Sequence, residues 1–341
     1  MAVVDIAIPC YRYGHFLKDC IESIQAQSLH DVRMLIIDDA SPDDSAEAAR
    51  ALAARDPRIE VVVHERNRGA LVTYDEGIAW ATSPYMLLLS ADDFLAPGAL
   101  ARAAALMDAH PKVALTYGRS VDLHEGDPEP TFSDPNAPPE WRLRSGEAFI
   151  REHCERIRNL VPTPTAIVRT AVQKRVGGYD RLLPHAGDME MWMRLAAYGD
   201  VADTPLTQAV YRLHGSNMSR AYYALILVDY EQRALAFDTV FKHHGPRVPN
   251  ARRHHALARR RLAEAAYWTG VARCCRGDMA IGRDVLGFGL ALRPRMRLLP
   301  PVGQLFRHER PDRKIASVLG DGLRRLALRA GLIPRQSAKG P

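Results

Sequence analysis

Long apolar runs and cysteine are scarce in this 341-residue sequence. No stretch approaches the roughly 18 to 20 consecutive apolar residues that a membrane-spanning helix needs, so the sequence predicts no such helix. The five cysteines follow neither a paired disulfide framework nor the spacing of a zinc site, which favours reduced thiols in a cytosolic protein. The first residues are apolar but lack a basic segment, which favours a β-strand over a signal peptide.

Two glycine-rich phosphate-binding signatures are also missing. The turn after the first predicted strand reads PCYRYG at residues 9–14, without the G-x-G-x-x-G of dinucleotide-binding domains, and no G-x-x-x-x-G-K-[ST] occurs in the chain. A dinucleotide-dependent dehydrogenase and P-loop phosphate binding are therefore disfavoured. A sugar nucleotidyltransferase is disfavoured as well, because it would need a Gly-rich loop after its first strand. Tyr11 instead offers an aromatic ring on which a nucleotide base could stack, a contact worth about 1–3 kcal/mol.

Charge is distributed unevenly along the chain, whose net charge is +6. Residues 1–220 carry 23 Lys and Arg against 31 Asp and Glu, whereas residues 221–341 carry 23 against 9. The sequence therefore combines an acidic body with a basic tail. Three interpretations of the tail are open: a surface that docks on an anionic membrane, a site for a partner protein, or a solvated helical face. Nucleic-acid binding is disfavoured, because aromatic residues are sparse among the basic ones.

The first 120 residues alternate β-rich runs with amphipathic helical stretches. Predicted strands cover Val3–Ile8, Arg33–Ile37, Ile59–His64, Tyr85–Leu89 and Val113–Tyr117. Predicted helices cover His15–Gln27, Asp43–Arg55, Ala70–Thr82 and Pro97–His110. Because the strands are almost continuously apolar, this alternation predicts an α/β fold with a mainly parallel sheet covered by helices on both faces.

The pattern changes in the second part of the chain. Residues Glu125–Trp141 are rich in Pro, Asp and Glu and predict a long surface loop, and a strand is predicted over Thr207–Leu213. Further helices are predicted over Ser145–Arg158, Asp188–Tyr198, Arg252–Arg276, Met279–Leu292 and Lys314–Leu332, the third and fourth forming an antiparallel hairpin. We therefore expect an α/β domain over residues 1–219 and a basic helical extension over residues 220–341.

Acidic side chains follow the predicted strands at points that would share one edge of the sheet. Asp38 and Asp39 follow the second strand, Asp92 and Asp93 follow the fourth, and Asp188 opens a later helix. Ligands of open α/β sheets bind beyond the carboxyl ends of the strands. Carboxylates alone would repel a nucleotide diphosphate, but a divalent cation such as Mg²⁺ or Mn²⁺ held by them would turn repulsion into binding. The alternative interpretation is that each acid caps the helix that follows it.

The ordered motifs resemble those of glycosyltransferase family 2. The matching segments are residues 6–11, 23–28, 36–43, 67–69, 77–78, 87–93, 177–180, 188–195 and 211–214, with Asn217 and Ser219. They cover about Val3 to Ser219. The resemblance implies a GT-A, Rossmann-like fold, a nucleotide-diphospho-sugar donor with a UDP-sugar favoured, and transfer with inversion at the anomeric carbon.

The resemblance also implies where the nucleotide binds. Pro9 and Tyr11 would line the base pocket, and Asp39 would accept a hydrogen bond from the base. Arg68 is a further candidate for the nucleotide, and Asp92 would contact the ribose or the metal.

The implied chemistry requires a metal and a base. Asp93 stands at the position of the family's DXD motif and would be the main ligand of Mn²⁺ or Mg²⁺. His214 falls where some members hold the metal or the diphosphate, although a structural role is equally open for a lone histidine. Asp188 falls on the general-base position, and inversion needs such a base on the face opposite the leaving group. Trp192 could stack on a sugar, but on an amphipathic helix it is better explained as a core residue.

The sequence departs from the family pattern at four places, and two hypotheses follow. The departures are Arg12 for Asn, Tyr74-Asp75 for Arg-Asn, Ser90 for an acid and Gly187 for an acid. The favoured hypothesis is an active, metal-assisted enzyme of bacterial polysaccharide or glycoconjugate synthesis. Its acceptor would be a glycan or a lipid-linked molecule. The enzyme would be cytoplasmic, or would bind the inner face of the membrane through the basic tail. The other is a degenerate member that binds a nucleotide sugar or a partner without turnover.

Overall fold

The computed structural model describes residues 2–132, 134, 140–215, 217 and 225–307. Ser219, part of the predicted loop over Glu125–Trp141 and the predicted helix over Lys314–Leu332 lie outside these residues. Within the described chain, no helix is both long and apolar enough to cross a membrane.

A central sheet of nine strands runs through the described residues. The strands are β1 (Val4–Cys10), β2 (Val32–Asp38), β3 (Ile59–Val63), β4 (Tyr85–Leu88), β5 (Phe94–Leu95), β6 (Val113–His124), β7 (Arg142–Arg144), β8 (Ile167–Arg169) and β9 (Asp200–Leu213). Their order is β3-β2-β1-β4-β8-β6-β9-β5, with β7 beside β9. The strands that the sequence predicted are found, because short, mostly apolar and mostly buried runs suit a strand covered on both faces.

Helices lie between the strands and follow them. They are α1 (Gly14–Gln25), α2 (Ser45–Ala53), α3 (Ala70–Trp80), α4 (Ala99–Ala109), α5 (Gly146–Arg156), α6 (Thr170–Val176), α7 (Gly187–Ala196), α8 (Ile226–His244), α9 (Ala251–Arg276) and α10 (Met279–Leu292). A short 3₁₀ turn at Thr163–Thr165 precedes β8. The α/β class is confirmed, and α9 and α10 form the predicted helical hairpin, which turns at Gly277 with φ of 98°.

The expectation of a mainly parallel sheet is correct for only half of it. Strands β3, β2, β1 and β4 are parallel to one another, and β6 is parallel to β9. Strand β8 runs antiparallel to both β4 and β6, while β5 and β7 run antiparallel to β9. The sequence could not indicate these directions, because β5, β7 and β8 are only two or three residues long and hydrophobic pattern carries no directional information.

Two hydrophobic cores lie against the sheet. One packs α1 and α4 onto β1 and β2. The other includes Phe149 of α5 and Trp192 of α7, together with Phe237 of α8 and Leu262 of α9. Trp192 is 3% exposed, which confirms its interpretation as a core residue. Helices from beyond residue 220 thus complete the same core as the α/β body, and the division of the chain at residues 219 and 220 stays a prediction.

Candidate functional site

A cleft of about 1720 Å³ opens where β1, β2 and β4 end. The carboxyl ends of parallel neighbouring strands meet at one edge of a sheet, so the turns that follow them come together there. Six of the eight residues predicted for the site line this cleft: Pro9, Tyr11, Asp39, Asp92, Asp93 and Asp188.

The turn after β1 presents Tyr11 to the cleft. Tyr11 is 41% exposed, although it follows a largely buried strand. The chain reverses at Arg12, whose φ is 63°, and the Arg12 amide donates to the Ser41 hydroxyl at 2.9 Å. The ring is therefore accessible to a stacking partner.

Asp39 is fixed in the cleft wall by backbone donors. Its Oδ1 accepts from the Arg68 amide at 2.8 Å, its Oδ2 accepts from the Gly69 amide at 2.8 Å, and its side chain is almost fully buried. Gly69 is the N-cap residue of α3, so Asp39 holds the turn into α3, whereas the first amide of α2, that of Ser45, donates to Asp43 Oδ1 at 3.2 Å. The capping of α2, the alternative for this acid, is therefore wrong.

His64 supports Asp39 from behind. Its Nδ1 lies 2.7 Å from Asp39 Oδ1, and its Nε2 lies 2.9 Å from Glu76 Oε2. Burial alone would lower the pKa of His64, but the hydrogen bonds to the two carboxylates raise it overall. This buried pair explains why Asp39 keeps one orientation.

Arg68 is not among the residues that line the cleft. Its guanidinium is about half exposed and lies 3.4 Å from Glu76 Oε2. The structure therefore gives Arg68 a contact through its backbone amide to Asp39, while its predicted contact with the nucleotide stays a prediction.

Asp92 is the centre of a polar cluster that closes the end of β4. It accepts a hydrogen bond from the Ser90 hydroxyl and another from Asn217 Nδ2 at 3.3 Å. His214 Nε2 lies 3.0 Å from Asp92 Oδ2. Ser90, which replaces an acid of the family pattern, therefore supports Asp92 through a hydrogen bond.

Asp93 is 3% exposed and accepts the Arg212 amide at 3.0 Å on Oδ1. Helix α4 begins after Gly98 without a side-chain cap, so the capping interpretation of these two acids is wrong. Burial first, and the charge of Asp92 second, raise the pKa of Asp93 well above its usual value, against the opposing effect of Arg212. A nearby cation would relieve both effects.

The chemistry of these donors fits a divalent cation that is shared with a substrate. Carboxylate oxygens are the hard ligands that Mg²⁺ and Mn²⁺ prefer. Among the described residues, however, no group of three or more His, Cys, Asp and Glu side chains is arranged to hold a metal. His214 is turned to Asp92 instead. A cation at Asp93 would therefore depend on diphosphate oxygens and water to complete its shell, as Mg²⁺ often does.

Arg212 and Asn217 are site residues that the sequence analysis assigned no role. Arg212 Nε donates to the Asp92 carbonyl at 3.1 Å, and its guanidinium lies 4.5 Å from the centre of the Phe16 ring. Asn217 Oδ1 accepts the His214 amide at 2.6 Å. Their place in the same motif as His214 was the available signal, since three residues of one short segment converge on Asp92.

Asp188 lies in the first turn of α7 and is half-buried on the wall formed by α7. Thr163 Oγ1 donates to its Oδ2 at 2.7 Å, and α7 has no side-chain cap, so the capping interpretation fails here too. Burial raises the pKa of Asp188, while hydrogen bonds from Thr163 and Tyr179 and the charge of His185 partly oppose the rise. A carboxylate with a raised pKa in a cleft is suited to accept a proton.

One of the four departures from the family pattern, Tyr74-Asp75, supports Asp188. Asp75 Oδ1 accepts the Tyr179 amide at 2.8 Å, which ties α3 to the turn before α7. The Tyr74 ring packs edge-on against the Tyr179 ring with centroids 5.3 Å apart. Tyr74-Asp75 thus orients the tyrosine that bonds to the predicted base.

Comparison with known proteins identifies the family to which the sequence is similar. The sequence profile described as Glycosyl transferase family 2 matches residues 5–175. The uncharacterized glycosyltransferase EpsJ of Bacillus subtilis is 34% identical over 93 residues, 27% of each chain. Because this match covers only about a quarter of EpsJ, it shows a similar region and not a shared activity.

Solved structures share the fold. The mannosyltransferase PcManGT of Pyrobaculum calidifontis, in complex with GDP-Man and Mn²⁺, matches with a TM-score of 0.57 at 16% identity, over 95% of this chain and 86% of that one. S. aureus TarS 1-349 in complex with UDP matches with a TM-score of 0.56 at 15% identity, over 99% of this chain and 95% of that one. At this identity the likeness concerns the fold, which is that of GT-A glycosyltransferases.

Proposed function

Because the chain belongs to glycosyltransferase family 2, we propose that it transfers a sugar from a nucleotide-diphospho-sugar to an acceptor hydroxyl with inversion. The observation that carries this proposal is that Asp93 and Asp188 line one cleft from different elements. The first follows β4, and the second begins α7. Asp93 can act on the leaving diphosphate, and Asp188 can act on the attacking hydroxyl.

The donor is proposed to lie along the ends of β1, β2 and β4. Tyr11 offers its exposed ring to the base, and Asp39 offers a fixed acceptor beside Pro9. Asp92 and Asp93 would then face the ribose and diphosphate, and Mn²⁺ or Mg²⁺ held at Asp93 would neutralise negative charge on the leaving group. A UDP-sugar is the favoured donor, and PcManGT and TarS show that this fold accommodates GDP-Man and UDP.

Calorimetric titration with UDP, GDP, dTDP and CDP, with and without Mn²⁺, tests the donor site. We expect one nucleotide to bind in a metal-dependent way, and Asp93→Asn to weaken this binding by about tenfold or more, because a charged metal ligand is lost. Asp284→Asn is the matched control, since Asp284 is exposed on α10. Failure of all four nucleotides to bind would contradict the proposal.

Asp188→Asn separates an active enzyme from a degenerate member that only binds. We expect release of nucleoside diphosphate from the donor to slow by about 10²–10⁴-fold, because a positioned general base is lost, while nucleotide affinity is kept. The readout is diphosphate release in parallel with the calorimetry. Equal turnover of wild type and variant would contradict the base assignment, and binding without turnover in wild type would favour the degenerate member.

We further propose that the acceptor is a lipid-linked glycan of bacterial glycoconjugate synthesis, reached at an anionic membrane surface. The supporting observation is a pair of leucines after α10: Leu298 is 86% exposed and Leu299 is 78% exposed. Arg295 and Arg297 precede them, and the stretch after residue 220 has a basic net charge. Exposed apolar side chains beside arginines suit the headgroup region of anionic lipid.

Vesicle sedimentation tests this contact. We expect binding to vesicles of phosphatidylglycerol and phosphatidylcholine that falls with salt and with the double change Leu298→Ser and Leu299→Ser. The control pair is Met279→Ser and Ile281→Ser, since these side chains are also exposed, on α10. Equal binding by the leucine variant and the control pair would refute the contact, as would equal binding to uncharged vesicles.

A further inference from the structure

Helix α8, which lies beyond the region matched by the family profile, reaches into the cleft. Asp229 and Arg233, one turn apart on α8, both line it. His185 Nε2 lies 2.9 Å from Asp229 Oδ1, and Arg233 lies 2.6 Å from Asp229 Oδ2 through Nη2. A histidine and an arginine therefore share one carboxylate at the edge of the site.

The three side chains are fixed rather than free to meet a substrate. The side chains of His185, Asp229 and Arg233 are 11%, 15% and 25% exposed. Arg233 Nη1 also donates to the Ile157 carbonyl at 3.0 Å, and the His185 amide donates to Gln232 Oε1 at 3.2 Å. The side chains of helix α8 thus contact both the backbone and a side chain of the segment before α7.

This segment leads directly to the predicted base. His185 precedes Asp188 by three residues, and its charge lowers the pKa of Asp188, whereas burial, the largest effect, raises it. Burial also tends to raise the pKa of Asp229, but the bond from His185 and the charge of Arg233 bring it below its usual value, so Asp229 is an anion at neutral pH. The titratable and charged residues that line the cleft from α3, α8, β6 and the segments before β8 and α7 are Tyr74, Asp122, Arg158, Tyr179, His185, Asp229 and Arg233.

We propose that Asp229, held by Arg233, positions His185 beside Asp188, so that helix α8 completes the acceptor side of the active site. This inference rests on the proposed role of Asp188 as the general base. His185 is a positioning residue: it orients the start of α7 and, in its protonated form, places positive charge near the carboxylate. The base must be ionised to accept the acceptor's proton, and a cation beside it favours the ionised form.

The chain provides a matched control nine residues along the same helix. Asp238 of α8 likewise pairs with a histidine, His255, and an arginine, Arg259, from α9. Neither Asp238 nor His255 is among the residues that line the cleft. The same chemistry therefore occurs twice on α8, once at the site and once away from it.

The test compares His185→Gln with His255→Gln in the full-length protein, with diphosphate release from the donor as the readout across pH. Loss of the positive charge raises the pKa of Asp188, so we expect the acid limb of kcat to move to higher pH by about 0.5–1 unit in His185→Gln. Activity then falls by about three- to tenfold on that limb and little at high pH. His255→Gln should follow wild type at every pH.

Asp229→Asn and Asp238→Asn give the second comparison. We expect kcat to fall in Asp229→Asn with the donor KM unchanged, because the nucleotide is proposed to lie along the ends of β1, β2 and β4, and Asp238→Asn to match wild type. A uniform loss at all pH values in His185→Gln, or profiles identical to the control, would overturn the inference while leaving the proposed function intact. No donor turnover by wild type at any pH would instead overturn the proposed function, and this inference with it.

Discussion

At the scale of single residues, His153 of α5 shows how burial acts on an ionisable group away from the site. Its side chain is fully buried, Nδ1 lies 3.1 Å from the Phe149 carbonyl, and Nε2 has no partner among the described residues. Burial lowers the pKa of His153 to about 4 from an ordinary value of 6.5. The imidazole is therefore neutral in the folded protein and gains a proton on unfolding at mildly acidic pH.

The pH dependence of stability follows from this difference. The contribution of neutral His153 to the free energy of unfolding is complete above pH 6.5 and is lost as pH falls towards 4. The reason is that the unfolded chain binds the additional proton. Between pH 7 and pH 5 we expect His153 to account for about 2 kcal/mol of lost unfolding free energy, at 1.36 kcal/mol per pKa unit. Urea unfolding at the two pH values measures it.

His153→Gln should remove that part of the acid sensitivity, although the buried amide lowers stability at neutral pH. His110→Gln serves as the control, because His110 is exposed and its replacement should leave the pH dependence unchanged. An unchanged difference between pH 7 and pH 5 in His153→Gln would contradict the account.

At the scale of elements, glycines decide how closely α9 and α10 approach. A Cβ on Gly282 would lie 2.7 Å from the Cys274 amide nitrogen, and one on Gly270 would lie 2.7 Å from the Leu286 amide nitrogen. A Cβ on Gly287, also in α10, would have no heavy atom within 4 Å. At Gly289 a Cβ would likewise lie 2.9 Å from the Ala263 carbonyl oxygen, so close contact between the two helices needs glycine at Gly270, Gly282 and Gly289 but not at Gly287.

Alanine substitutions at Gly282 and Gly287 should therefore act in opposite directions. We expect Gly282→Ala to lower the free energy of unfolding by about 1–3 kcal/mol, because backbone must move to admit the methyl group. Gly287→Ala should raise it by up to about 1 kcal/mol, since alanine is the better helix former. Urea unfolding of both variants measures this, and equal effects of the same sign would show that the helices are not in close contact.

At the scale of the whole molecule, the second hydrophobic core joins the α/β body to the helices after residue 220. Phe237 of α8 is 1% exposed and belongs to the same cluster as Phe149 and Trp192. A shared core predicts that these parts unfold together.

Phe237→Ala should lower the unfolding free energy by about 3–5 kcal/mol and keep a single transition. Leu235→Ala on the same helix is the control, because Leu235 is 36% exposed and its loss should cost little. The measurement is urea unfolding followed by tryptophan fluorescence and by circular dichroism. Two separate transitions in Phe237→Ala would show instead that residues 1–219 and the helical extension fold independently.

The sequence by itself determined the α/β class, the first four strands and the place of the carboxylates. Runs of apolar residues and the acids that follow them are local features, and parallel strands bring their carboxyl ends together whatever lies elsewhere. The ordered motifs that matched the family were likewise readable along the chain. Asp39, Asp92 and Asp93 therefore met in one cleft as expected, whereas Asp188 reaches the cleft from α7.

Only the tertiary structure decided the contacts between distant segments. It turned the Arg68 side chain to Glu76, gave Asp39 the amides of the turn into α3, and set β8 antiparallel to its neighbours. It also brought Asp229 to His185 across 44 positions of the chain. Such contacts depend on how helices and strands pack rather than on local pattern, because a carboxylate pairs with whichever donor the folded chain places beside it.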